Sequence, residues 1–154
     1  MKLLIVCLGN ICRSPMGEGA LRARLDEARL SRRIQVDSAG TGGWHAGEPP
    51  DPRAIRCARG HAVDISGLRA RQVLREDFEH FDWLLCADTG NLRDLQRLAP
   101  APLRGKVALW LPWAGVGARD DIPDPYTGGS QDFEDVWQLV DTAARQTVAR
   151  LTRD

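Results

Sequence analysis

The chain predicts a single-domain α/β fold, a doubly wound sheet of about four parallel strands with helices on both faces, and three observations carry that expectation. First, the apolar run Leu3-Leu4-Ile5-Val6 ends abruptly in a loop containing Gly9 and Asn10, the pattern of a strand buried on both faces. Second, further runs of strand length stand at 34–38, 83–87 and 106–111, with helical patterns between them. Third, Phe133, Val136, Trp137, Val140, Ala144, Thr147, Val148 and Leu151 keep a 3.6-residue period to the end of the chain, which is a long amphipathic helix. Strands alternating with helices form a parallel sheet. A chain of 154 residues is expected to bury one core, so one domain spans 1–154.

The elements follow in order. The first strand covers residues 2–7. Pro15-Met16-Gly17-Glu18 carries helix-start signals, proline at the first position and an acid in the first turn, and Gly17, Leu21, Leu25 and Ala28 fall on one face of that helix. Shorter helices are expected at 51–59 and 91–98, and Ser130 is placed to cap the last one. Residues 112–129 hold four glycines and three prolines without periodicity. A structureless stretch of that length in a compact domain is usually functional.

Charge and cysteine content exclude several classes. Acidic and basic side chains balance at 21 each, so no global field draws the protein to nucleic acid or to a membrane surface. The N-terminal apolar run is too short for a signal peptide or a span. Cys7, Cys12, Cys57 and Cys86 lack metal-ligand spacing and are too sparse for a disulfide scaffold, so no metal or cofactor is expected and a reducing cytoplasm is the natural compartment.

The stretch Cys7-Leu8-Gly9-Asn10-Ile11-Cys12-Arg13-Ser14 lies between the first strand and the first helix. Loop N–H groups and the positive end of the helix converge on one spot there, which makes an anion cradle. Arg13 offers a planar fork for two phosphate oxygens, and the same positive surroundings favour Cys7 as thiolate, a nucleophile beneath a bound phosphoryl group. Gly9 and Asn10 suit a loop that needs positive φ. Ser14 is placed to hydrogen-bond the sulfur. Opposite this loop in function stands Asp124, with Pro123 and Pro125 restricting its backbone. Ester cleavage through a cysteine needs a group that protonates the leaving oxygen and then activates water, although an aspartate beside proline is also a common turn pair. Trp44, after Gly42-Gly43 in a loop, and Tyr126 suit the walls of a slot for a flat ring. Trp83 and Trp137 read as core, and Asp120 and Asp121 as solvated charges.

The segment Val6-Cys7-Leu8-Gly9-Asn10-Ile11-Cys12-Arg13-Ser14-Pro15 resembles the signature loop of the low-molecular-weight protein tyrosine phosphatases, bacterial type. Asp37-Ser38-Ala39-Gly40-Thr41, Asp51-Pro52-Arg53-Ala54, Ala70-Arg71-Gln72, Asp77-Phe78, Asn91-Leu92-Arg93-Asp94-Leu95 and Asp124-Pro125-Tyr126 resemble further family segments in family order. The resemblance implies metal-independent hydrolysis of phosphotyrosine through a cysteinyl-phosphate, with Cys7 as nucleophile, Arg13 as phosphate binder and Asp124 as general acid and base. It places Ser38 and Asn10 in a network behind the loop, Asp88 as an acid near it, and Cys12 as a reversible disulfide partner of Cys7. It implies a tyrosine-phosphorylated protein as partner, such as a bacterial tyrosine autokinase of polysaccharide export, and a monomer or weak dimer. Leu68 stands where family members often carry a histidine that supports the loop asparagine, which implies a softer cradle.

Three related chemistries are disfavoured. A thioredoxin-coupled arsenate reductase needs further cysteines a few residues apart, and Cys86 has none within 87–98. Protein arginine phosphatases resemble this chain but place threonine where Ile11 stands. A phosphocarrier that keeps its phosphocysteine has no use for Arg13 and Asp124 together.

Overall fold

The computed structural model describes residues 1–117 and 119–153. In chain order the elements are β1 (Lys2–Cys7), α1 (Arg13–Glu27), β2 (Gln35–Gly40), α2 (Pro52–Gly60), α3 (Asp77–His80), β3 (Trp83–Cys86), α4 (Thr89–Leu98), a 3-10 turn (Ala101–Lys106), β4 (Val107–Leu109), α5 (Trp110–Ala114) and α6 (Ser130–Arg153). The four strands pair in parallel in the order β2-β1-β3-β4. The chain therefore leaves β1 for β2 on one side and returns to β3 on the other. Ligands of such sheets sit at the carboxyl ends of the strands flanking that reversal, and here those ends are Cys7 and Cys86.

Because side chains of a strand alternate between faces, β1 feeds two cores. Leu3, Ile5 and Cys7 pack with α1, α2, α5 and α6, while Leu4 and Val6 pack with Phe78, Leu84 and Leu95 on the α3 and α4 side. A strand buried on both faces has to be apolar throughout, which is why its sequence runs rather than alternates. The larger core is centred on Trp110, fully buried, whose indole N–H donates to Thr147 Oγ1 at 3.0 Å. A Cβ on Gly17 would lie 2.7 Å from that indole, so α1 carries a glycine where Trp110 meets it.

Several boundaries differ from expectation. Helix α1 begins at Arg13 rather than Pro15, and Ala28 is its exposed C-cap rather than part of the apolar face. The fourth strand stops at Leu109 because Trp110 and Leu111 turn into α5 and bury against α6. Ser130 is the first residue of α6 and not its cap. The Gly129 N–H instead donates to Asp132 Oδ2 at 2.8 Å, the acid of the first turn reaching back as in a capping box. Trp137 is buried, whereas Trp83 is only half-buried and tilts against Trp113. Among the described residues no helix is long and apolar enough to cross a membrane.

Candidate active site

The loop from Leu8 to Cys12 joins the end of β1 to the start of α1, and its backbone has two sides. The carbonyls of Cys7, Leu8, Ile11 and Cys12 accept from the N–H groups of Thr41, Gly42, Asp51 and Met16. The N–H groups of Leu8, Gly9, Asn10, Ile11 and Cys12 donate to nothing among the described residues. Carbonyls are thus spent on the scaffold, and a ring of amides is left facing the cleft, the arrangement that binds an anion. Asn10 takes the left-handed turn this requires, with φ 58°. Gly9 does not have positive φ; it is small because His45 lies against it, where a Cβ would stand 3.2 Å from the imidazole Cδ2.

Asn10 is buried and its amide is fully used. Its Nδ2 donates to Ser14 Oγ at 2.7 Å and to Ser38 Oγ at 3.0 Å, and its Oδ1 accepts from the Arg71 N–H at 3.0 Å. Ser38 Oγ then donates to Glu18 Oε1 at 2.7 Å. Glu18 is itself buried, and its other oxygen lies 2.6 Å from the Arg22 guanidinium without hydrogen-bond alignment. Burial holds the Glu18 carboxyl above its ordinary range, against the pull of Ser38 and Arg22. The network therefore closes without a histidine, and Leu68 serves as a hydrophobic residue packed on the larger core.

Ser14 lies 2.9 Å from Cys7 Sγ. Because Ser14 Oγ accepts from Asn10, its own proton is left to donate, and the sulfur is nearer to it than the Ala39 carbonyl at 3.5 Å. The Cys12 thiol is pushed far up by burial and then by the negative charges of Asp51, Cys7 and Asp124, which keep it protonated. Only Cys7 of the two carries a hydroxyl donor.

Arg13 is buried beside them. Its Nη1 donates to Asp88 Oδ2 at 2.6 Å and to the Ile122 carbonyl at 2.9 Å, while Nε and Nη2 make no hydrogen bond to protein among the described residues. Desolvation opposes the charge, but Cys7, Asp88 and Asp124 outweigh it and hold the guanidinium above its ordinary value. Asp88 serves two elements at once: Oδ1 accepts from the Asn91 N–H at 2.8 Å to cap α4, and Oδ2 takes Arg13.

The irregular stretch that follows α5 is tied down at chosen points. Ile122 is buried, donates its N–H to the Ala87 carbonyl at 2.8 Å, and gives its carbonyl to Arg13. Asp121, read from sequence as a solvated charge, accepts from both the N–H and the hydroxyl of Thr89. Those anchors leave Asp124 half-exposed with its Oδ2 3.7 Å from Arg13 Nη2, and its Oδ1 accepts from the Tyr126 N–H at 3.1 Å. On the far side Arg53 donates to the carbonyls of Tyr126 and Gly128 and lies over the Phe133 ring.

A cleft of about 180 Å³ opens over these groups. Cys7, Cys12 and Arg13 form its floor; Leu8, Gly9 and Ile11 one side; Trp44, His45, Asp124 and Tyr126 the rim. Trp44 is 71% exposed and Tyr126 is 50% exposed, so both rings stand in solvent at the mouth. Of the residues the sequence assigned to the site, Cys7, Arg13, Asp124, Trp44, Tyr126 and most of the loop line the cleft, while Asn10, Ser14, Ser38 and Asp88 stand behind it. Glu18, Arg71, Ile122 and His45 were not foreseen as site residues. Only Arg71 had a signal, its place in a family-like segment; the others act through contacts between residues far apart in the chain.

An amide-lined loop with a cysteine and an arginine at its floor, set at the reversal of a parallel sheet, is the layout of an enzyme with a cysteine-arginine anion site. Residues 2–154 match the family described as "Low molecular weight phosphotyrosine protein phosphatase", and the chain belongs to that family. A relative of that name from Schizosaccharomyces pombe is 42% identical over 143 residues, 92% of this chain and 91% of the relative. The crystal structure of a protein tyrosine phosphatase from Entamoeba histolytica, with Hepes in its active site, aligns with a TM-score of 0.94 at 30% identity, covering 99% of this chain and 97% of that one. Vibrio vulnificus Wzb in complex with benzylphosphonate aligns with a TM-score of 0.84 at 34% identity, covering 97% of each chain.

Proposed function

We propose that the chain is a protein-tyrosine-phosphatase that hydrolyses phosphotyrosine through a phosphorylated Cys7. The observation that carries the reading is the half-used guanidinium of Arg13. One nitrogen is fixed to Asp88 and Ile122, while the Nε–Nη2 edge makes no hydrogen bond among the described residues, its Nη2 standing 3.7 Å from Asp124 Oδ2. Such an edge matches two oxygens of a phosphoryl group. The loop amides take the remaining oxygens, as charge spreads over them in the transition state. Cys7 Sγ forms the bond to phosphorus as the bond to the tyrosyl oxygen breaks, and Asp124 gives that oxygen its proton. Water then attacks the cysteinyl-phosphate, Asp124 takes a proton from it, and the Cys7 thiolate leaves with the Ser14 hydroxyl to stabilise it. None of these steps calls on a metal.

Trp44 and Tyr126 flank a ring-sized slot, and Ile11 gives its inner side an apolar surface suited to an aryl group. A related Wzb binds benzylphosphonate, a phosphonate attached to such a ring. Arsenate reduction has no route outward from Cys7, since Cys86 is fully buried in the opposite core. The physiological partner of this reading is a tyrosine-phosphorylated protein of the cytoplasm, a tyrosine autokinase of polysaccharide export being the kind the family resemblance implies. The test replaces Asp124 by alanine and compares tyrosyl phosphate with an ester of a very acidic phenol. The variant loses far more rate on tyrosyl phosphate, by about 10²-fold or more. Equal losses on both would remove Asp124 from the acid role, and faster turnover of phosphoarginine than of phosphotyrosine by the native enzyme would overturn the substrate.

A further inference from the structure

Outside the cleft, α2 and α6 bring together Cys57, His61 and Glu134, and nothing in the phosphatase reading uses them. Cys57 lies on α2 and His61 is the C-cap residue that follows it, four residues on. Glu134 comes from the first turns of α6. One donor atom from each residue fits within 4.8 Å of the others. The Cys57 thiol donates to Glu134 Oε2 at 3.5 Å, and His61 Nε2 lies 2.8 Å and 2.9 Å from the two Glu134 oxygens. Trp137 stacks on His61 with centroids 5.1 Å apart and planes 12° from parallel, which fixes the imidazole plane with Nε2 toward the carboxylate. The group borders an open pocket of about 560 Å³, so an ion can reach it.

We propose that Cys57, His61 and Glu134 bind a thiophilic divalent cation of the zinc class, with solvent as fourth ligand. Tetrahedral zinc with bonds of about 2.0–2.3 Å sets its ligand atoms roughly 3.3–3.7 Å apart. The sulfur and the carboxylate already stand at that spacing. The imidazole nitrogen needs to separate from the carboxylate by about half an ångström and approach the sulfur, which side-chain rotation supplies. Thiolate, imidazole and carboxylate together are a zinc-like donor set. In the metal-free state burial and the Glu134 carboxylate push the Cys57 thiol up to about 11, so binding replaces the S–H bond by a metal–sulfur bond and releases that proton to solvent. The neighbouring cations Arg53 and Arg56 oppose a second positive charge, but Arg53 is already held by both oxygens of Asp51. The site has no compact spacing in the sequence, since the third ligand lies 73 residues beyond His61.

The bound ion would clamp α2 to α6 one helical turn from Arg53, the residue that holds the Tyr126 and Gly128 carbonyls. Titration of metal-stripped full-length protein with cobalt(II) tests the proposal. Cys7 and Cys12 are replaced by serine to silence the cleft thiols, and the same titration is run on the native sequence with the cleft saturated by inorganic phosphate in case the double variant folds poorly. One equivalent of cobalt giving a sulfur-to-metal charge-transfer band is expected. The band disappears in Cys57→Ser, zinc displaces it, and His61→Ala and Glu134→Gln each weaken binding by at least about tenfold, as loss of one ligand in three should. No band, or a band that survives Cys57→Ser, would overturn the proposal and leave the three residues as a hydrogen-bonded contact between helices.

Discussion

Replacing Asn10 separates the two things it does, because alanine and glycine fail in different ways. Both substitutions remove the hydrogen bonds to Ser14 and Ser38 and orphan the part-buried Arg71 N–H. At about 1 kcal/mol each, the three bonds amount to roughly 3 kcal/mol of stability lost in either variant. The backbone at this position has φ 58°, where alanine bears a further cost of about 1–2 kcal/mol and glycine bears none. Glycine instead loses about 0.4–1 kcal/mol by loosening the unfolded chain. The glycine variant is therefore the more stable of the two by about 1 kcal/mol, although it removes more atoms. Urea unfolding of both variants at one pH reads the order, and the competitive inhibition constant of inorganic phosphate reads the cradle. If about 1.4 kcal/mol is needed to re-form the loop around phosphate, that constant rises about tenfold. An alanine variant within about 0.5 kcal/mol of the native protein, or more stable than the glycine variant, would refute the account of the loop.

The remaining predictions concern its charged supports. Asp88→Asn leaves one carbonyl oxygen to serve both Asn91 and Arg13; breaking a fully buried pair costs about 3–5 kcal/mol, and with Asp88 26% exposed roughly half of that is expected in urea unfolding, together with a raised KM. A loss confined to stability, with KM unchanged, would show that Asp88 caps α4 without positioning Arg13. Glu18→Gln tests the buried end of the network. Because the folded carboxyl binds its proton more tightly than the ordinary value of 4.5 implies, the native protein holds this contribution below pH 4.5 and loses it as the pH rises through the folded pKa. The glutamine variant lacks that loss, so the stability of the native protein relative to the variant falls as the pH rises above 4.5 through the raised folded pKa; a difference that grows with pH would contradict the burial of the carboxyl there.

Much of this site was legible because its parts are local. The strand, the loop and the helix start lie within twenty residues, and each carries its own signal: an apolar run, a glycine with an asparagine, a serine-proline step. The central strands were legible for the same reason, since β1 and β3 are nearly uninterrupted apolar runs, whereas β2 mixes polar residues into its sequence. Supports that depend on contacts between distant residues were not. Leu68 suggested a softened cradle, but Glu18, Ser38 and Asn10 come from three elements and close the network without it. Ile122 carried no signal of its own, yet its backbone joins Ala87, just past β3, to Arg13. Asp121 looked solvated until the fold placed Thr89 against it. The cut at Leu109 was hidden because Trp110 and Leu111 are as apolar as a strand, and only α6 decides that they turn into a helix.

The central claim is that Cys7 carries the phosphoryl group between substrate and water. Rapid quenching of the enzyme in denaturant during turnover of an aryl phosphate, followed by mapping of the modified peptide, tests it directly. One phosphoryl group is expected on the peptide containing Cys7, absent in Cys7→Ser, which still binds phosphate but does not turn over. Label on any other residue, or turnover by Cys7→Ser near the native rate, would contradict the account.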